Sequence, residues 1–210
     1  MRAFQYHQLA HELQDRTTGL LLRQLRPDDF SCRCSALVLL SCLVLAAARQ
    51  LALAAVAAVR PACPSRETLR QALYATLPGY DALRRHLPAL LRASLPRRLA
   101  RHPSRRRYPM AIDLHRVAYY KRGRTPPRHV RKGQRLHGTR YAHDDATASL
   151  LCQGQYYVVA VTPYDPGESL ADVTRRLVRQ ASALGLAPRY VFMDRTFWSA
   201  DVFRYLQRAR

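Results

Sequence analysis

The spacing of the apolar residues changes near residue 108, and that change limits what each part of the chain can build. Upstream, Leu69, Leu73 and Leu77 fall on one stripe of the segment from Glu67 to Leu77, with Ser65 placed as an N-cap. Three- and four-residue spacing puts side chains on one face of an α-helix. Pro78-Gly79 stops that helix, and the segment from Tyr80 to Leu95 repeats the pattern through Leu83, Leu87, Leu90 and Leu91. Pro88 predicts a kink or break there. Downstream, MAIDLHRVAYY (Met110 to Tyr120) carries β-forming residues and a single acid in an apolar context. The apolar runs from Thr147 to Cys152 and from Tyr156 to Thr162 flank Gln153-Gly154, which predicts a hairpin. Ser169 can cap a helix running to Leu184, with Gly185 as its C-terminal stop. A short strand from Arg189 to Met193 follows, with Asp194 at its end, and then a helix from Ser199 to Arg208.

The predicted order downstream is strand, strand, strand, helix, strand, helix. That is an α/β arrangement, α+β for the whole chain, in which the first and fourth strands can lie side by side and parallel. Residues 121–138, rich in Arg, Pro and Gly, read as a loop. His143, Asp144 and Asp145 precede the second strand; His-x-Asp can suggest a metal site, a strand-entry turn explains it as well, and no ligand is assigned there. The chain therefore divides into a helical N-terminal region at 1–100, a basic linker at 101–109 and an α/β domain at 110–210.

Residues 36–59 are nearly all apolar, interrupted by Ser41 and by Arg49-Gln50. Taken together they are long enough to span a bilayer, but a central Arg costs about 2.5–3.5 kcal/mol on insertion. A buried helix or helix pair is the favoured reading, and a membrane segment is the minor alternative. The first residues, MRAFQYHQLAHELQDR, lack the apolar stretch of a secretory signal. Cys32, Cys34, Cys42, Cys63 and Cys152 show no paired framework, and the Cys-x-Cys spacing suits a zinc knuckle poorly. They read as reduced thiols in a cytoplasmic protein.

The net charge is +21, and Lys occurs only at 121 and 132, so the basic residues are almost all Arg. A guanidinium pairs with phosphate through two parallel hydrogen bonds, which points to a nucleic-acid partner. The segment 101–140 holds 13 Lys or Arg and one acid. Lys121, Arg122, Arg124, Arg128, Arg131, Lys132 and Arg135 are candidates to follow a phosphate backbone, with Arg195 beside Asp194 as a further one. A solvated linker is the alternative for the loop. Tyr119 and Tyr120 just before it can stack on an unpaired base or simply pack.

Asp113 lies between Ile112 and Leu114, where a carboxylate is costly unless it is paired, hydrogen-bonded or metal-bound. Asp194 ends the strand YVFM, the end at which open α/β sheets hold ligands. If the two strands adjoin, both carboxylates reach one Mg²⁺ (or Mn²⁺), a hard ion that favours oxygen ligands. Ion pairing with Arg116 or Arg195 is the alternative for either residue. His115 would share a face with Asp113.

AIDLHRVAYY, a basic loop, a hairpin, GESLADVTRRL and FMDRTFWSADVFRYL, in that order, resemble DDE transposases of bacterial and archaeal insertion sequences. The resemblance covers roughly residues 60–210 and is densest at 110–120 and 167–206. It implies an RNase H-like catalytic core that cuts DNA by metal-assisted hydrolysis and joins it by transesterification. Asp113 and Asp194 would be the first two acids of the triad, and Asp194 to Ser199 has the form of the second motif. The resemblance also implies DNA partners (terminal inverted repeats and target DNA), dimerisation, and a prokaryotic cytoplasmic protein bound to the nucleoid. The third acid of the family, a Glu on a later helix, has no counterpart: Asp201 follows too soon, and Glu168 and Asp172 come too early. That predicts a chain cut off before the third acid and catalytically incomplete, or a domesticated, non-catalytic DNA-binding fragment.

Overall fold

The computed structural model describes residues 2–32, 34–59, 63–96, 99, 107–120 and 127–209. They fall into two compact units, Met1–Ala93 and Ser94–Arg210.

The first unit is helical: α1 (Arg2–Leu25), α2 (Ala36–Arg49), α3 (Leu53–Val59), α4 (Arg66–Thr76) and α5 (Tyr80–Ser94). Serine caps start two of these helices. The Ser35 hydroxyl accepts the Val38 N–H at 3.3 Å and the Ser65 hydroxyl accepts the Thr68 N–H at 3.2 Å, each satisfying an otherwise orphaned amide of a first turn. The apolar stretch at 36–59 is a helix pair. Gln50 turns the chain in the left-handed region (φ 52°) and its N–H caps the carbonyls of Ala46 and Ala47. Among the described residues no helix is long and apolar enough to cross a membrane. Leu39, Cys42 and Ala46 of α2 pack with Val56 of α3 and with Leu69 and Ala72 of α4 into one small core. Pro88 lies inside α5 without breaking it, and α5 contributes no fully buried residue.

The second unit is a mixed sheet with helices: β1 (Tyr108–Ala118), β2 (Val130–Leu136), β3 (Thr139–Cys152), β4 (Gln155–Pro163), α6 (Leu170–Ala183), β5 (Pro188–Met193), a 3₁₀ turn (Arg195–Phe197) and α7 (Ala200–Arg208). β3 is the long central strand. It pairs antiparallel with β1 on one side, and on the other with β2 along its first half and with β4 along its second. β1 pairs in parallel with β5, giving the path β2-β3-β1-β5 with β4 also on β3. The expected adjacency of the first and last strands is present.

Two expectations change. Residues 130–136 of the basic loop form β2, so there is one more strand than predicted. β3 begins at Thr139, so His143, Asp144 and Asp145 lie within a strand. Both revisions share one cause, the two-residue turn at His137 (φ 46°) and Gly138 (φ 87°). Positive φ at both central positions matches the twist of a tight hairpin, and Gln153 (φ 53°) and Gly154 (φ 72°) do the same between β3 and β4.

Alternation along β3 buries Ala142, Asp144, Ala146, Ala148 and Leu150 on one face. That face meets Val173, Leu177 and Ala181 of α6, together with Met110, Ile112, Leu186 and Phe197, in the core of the unit. Ser169 caps α6, its hydroxyl accepting the Asp172 N–H at 3.2 Å. Residues of the opposite parity in β1 and β5, including Asp113, Tyr190 and Phe192, are exposed.

Candidate functional site

The sheet register brings Asp113 and Asp194 together. Ile112 pairs with Met193 across the parallel β1–β5 ladder, and each Asp is the next residue along its own strand. Neighbouring strands lie about 4.8 Å apart. Ile112 is in the core and Met193 packs against it, so alternation turns both carboxylates toward the face that α6 does not cover. Asp194 keeps an extended backbone (φ −62°, ψ 154°) as it leaves β5.

Both carboxylates are exposed and held by light, local contacts. The Leu114 N–H donates to Asp113 Oδ1 at 2.8 Å, and His115 Nε2 lies 3.8 Å from Asp113 Oδ2. The same His115 nitrogen is 3.1 Å from the Thr147 hydroxyl on β3. Asp194 caps the 3₁₀ turn: its Oδ1 accepts the Thr196 N–H at 3.3 Å, and its Oδ2 accepts the Thr196 hydroxyl at 3.1 Å. The ion-pair alternative is not realised at Asp113 through Arg116, because that guanidinium turns to Asp144. Oxygen donors on adjoining strands, one within β1 and one just past the end of β5, both exposed to solvent, are of the kind that Mg²⁺ or Mn²⁺ takes. Among the described residues no group of three His, Cys, Asp or Glu side chains is placed to hold a metal, so the fit rests on the two carboxylates.

The other acids have partners elsewhere. Asp144, on the core face, is fully buried, and accepts two hydrogen bonds from Arg116, from Nε at 2.8 Å and from Nη2 at 3.0 Å. That bidentate bond raises the pKa of the Arg116 guanidinium. Arg131 approaches the same carboxylate at 3.7 Å. Glu168 grips Arg176, whose Nη2 donates to Glu168 Oε2 at 2.8 Å and to the Pro163 carbonyl at 2.7 Å. Bonding to Glu168 raises the pKa of Arg176 as well. Asp201 pairs with Arg204 within α7.

The predicted DNA-contacting residues fall in three groups. Lys121, Arg122 and Arg124 lie outside the described residues. Arg128, Lys132, Arg135 and Arg195 are exposed, with Lys132 and Arg135 on β2. Arg131 is occupied within the fold: besides Asp144, it donates to the Asp165 carbonyl at 2.7 Å and lies 3.6 Å from the centre of the Tyr164 ring. Of the two tyrosines, Tyr119 meets the His143 ring edge-on, while Tyr120 is exposed with its hydroxyl donating to the His137 carbonyl.

Sequence reasoning gave no role to three exposed aromatic residues of β5 and the segment that follows it. Tyr190 and Phe192 are 55% and 56% exposed, and Trp198 is 72% exposed. The sequence reading takes Tyr190 and Phe192 only as part of an apolar strand and assigns them no face. Their shared parity with Asp194 was the available signal, because alternation puts residues 190, 192 and 194 on one face. Comparison with protein-family models, curated proteins and solved structures gives no match.

Proposed function

We propose that the second unit is an RNase H-like DNA-processing domain of DDE-transposase type, with Asp113 and Asp194 as its divalent-metal ligands. The parallel β1–β5 ladder carries this reading, because it brings Asp113, in the middle of β1, beside Asp194, just past the end of β5, on one uncovered face. The strand order β4-β3-β1-β5, with β3 antiparallel and β5 parallel to β1, supports it. Mg²⁺ or Mn²⁺ bound by the two carboxylates would activate an attacking oxygen and stabilise a leaving one in phosphodiester transfer. Around that centre the chain's own groups bind and orient DNA. Arg128, Lys132, Arg135 and Arg195 meet phosphates, joined by Lys121, Arg122 and Arg124. The exposed Tyr190, Phe192 and Trp198 offer flat surfaces to an unstacked base. The natural substrate is terminal-repeat DNA, the protein acts as a dimer, and its setting is the prokaryotic cytoplasm.

Among the described residues no third carboxylate joins the pair. This favours a second reading, a basic DNA-binding protein without turnover. The two readings separate in one set of measurements. Mn²⁺ titration of the full chain should show binding that Asp113→Asn or Asp194→Asn weakens, and unchanged binding in both variants removes the metal assignment. DNA affinity should fall steeply with salt, and neutralising Lys132 or Arg135 should each reduce the log–log slope by about 1. A flat salt dependence removes the DNA role altogether. Strand transfer on terminal-repeat DNA with Mn²⁺ decides for the enzyme; salt-dependent binding without metal binding decides for the non-catalytic protein.

A further inference from the structure

The cysteines of the first unit are unlikely neighbours in sequence terms, yet two of them meet. Cys42 on α2 and Cys63, two residues before the Ser65 cap of α4, hold their sulfurs 3.4 Å apart. All five cysteines carry thiols. We propose that Cys42 and Cys63 are a redox modification site, a thiol pair that low-molecular-weight disulfides such as oxidised glutathione convert to an intramolecular disulfide.

The separation is van der Waals contact, and a disulfide bond of about 2.05 Å would bring the sulfurs about 1.4 Å closer. Their exposure sets the order of events. Cys63 is partly exposed, whereas Cys42 is fully buried in the helical core. A soluble disulfide therefore meets Cys63 first. The Cys63 thiolate attacks one sulfur of the reagent, forming a mixed disulfide and releasing one thiolate. Cys42 then gives up its proton and attacks the Cys63 sulfur, forming the Cys42–Cys63 bond and releasing the second thiolate. Two protein thiols are oxidised, one small disulfide is reduced to two thiols, and the two thiol protons pass to the leaving thiolates. Cys34 is the competing partner in the same core. Burial, with the nearby Cys42 thiol adding to it, pushes the Cys34 pKa up, which keeps it protonated and a poor nucleophile. Cys32 is exposed, and Cys152 belongs to the other unit.

The bond would tie α2 to the start of α4 across the α3 connection, constraining the unfolded chain more than the folded one. The test treats the full chain with a graded oxidised-to-reduced glutathione series, then maps disulfides by mass spectrometry under non-reducing conditions. The expected product has lost two hydrogens, carries a Cys42–Cys63 cross-linked peptide, and unfolds at a higher temperature than the reduced chain. Cys34→Ser should form the same cross-link. Cys42→Ala should instead retain a glutathione adduct on Cys63, which keeps the proposal testable if the cross-linked form is scarce. A Cys34–Cys42 cross-link, or no adduct on Cys63 in Cys42→Ala, overturns it. Because Asp113 and Asp194 take no part, the outcome is independent of the proposed DNA chemistry.

Discussion

Asp113 and Asp144 sit on neighbouring, paired strands of one sheet, and the sheet treats them in opposite ways. Asp144 faces the core, is fully buried, and receives a bidentate guanidinium from Arg116 with Arg131 close behind. Asp113 faces away, is exposed, and among the described residues meets a backbone amide and a histidine at 3.8 Å. A buried charge without a partner is far costlier than an exposed one, so the core-facing acid is neutralised within the fold. The exposed acid keeps lone pairs for something outside it. The two faces thus separate a structural carboxylate from a functional candidate, although both are single Asp residues in strands of one sheet.

The largest expected effect tests the core side of this contrast. Asp144→Ala takes the shared buried acceptor from two partly exposed guanidinium groups, Arg116 and Arg131, and should lower unfolding free energy by about 2–3 kcal/mol in chemical denaturation. Asp113→Asn and Asp194→Asn should each change stability by less than about 0.5 kcal/mol. Equal losses at all three positions would erase the distinction.

Metal affinity should show the reverse preference. Asp113→Asn and Asp194→Asn should each weaken Mn²⁺ binding more than tenfold, about 1.4 kcal/mol, in calorimetric titration. A variant at the neighbouring exposed acid Asp201, which pairs with Arg204, should leave it unchanged.

A smaller effect reads the fit of Arg116 against β2. A Cβ at Gly133 would stand 2.9 Å from Arg116 Nη2, and that guanidinium is tethered to Asp144 and cannot swing aside freely. Gly133→Ala should therefore cost about 1–2 kcal/mol by overpacking. In Asp144→Ala, where the tether is gone, the same substitution should cost less, a coupling that a double-mutant cycle measures.

The smallest effect is a titration at the start of α6. The Ser169 hydroxyl donates to Asp172 Oδ2 at 2.7 Å and its backbone and Arg175 add to the stabilisation, holding the Asp172 carboxyl below its ordinary pKa. A depressed folded-state pKa means the contribution is present above the unfolded pKa. It is lost as pH falls through the lowered folded value. Ser169→Ala should move the Asp172 pKa back up in an NMR titration, and an unchanged value would show that the Ser169 hydroxyl has no part in it.

The sequence was most legible where local contacts decide. Ser35 was not recognised as a cap, but Ser65, Ser169 and Ser199 stand at helix starts as a serine hydroxyl within reach of a first-turn amide requires. The Gln153-Gly154 hairpin was equally readable from its two residues. β2 was not, because VRKGQRL has apolar residues only at its two ends and no alternating apolar face. It is an outer strand with Lys132 and Arg135 exposed and Arg131 taken up within the fold, and its pairing with β3 defines it. Asp144 was unreadable for a related reason. Its partners come from β1 and β2, and neither is near it in sequence.

The sequence by itself determined the two kinds of periodicity, the capped helices, the concentration of Arg at 101–140 and the placing of Asp113 and Asp194 at strand positions. These depend on side chains within a turn or two of one another. Only the tertiary structure decided that β1 and β5 adjoin in a register that aligns the two acids, that Arg116 answers Asp144 rather than Asp113, and that Tyr190, Phe192 and Trp198 face solvent. Those outcomes depend on which strands pair and which face a helix covers, and residues distant in the chain set both.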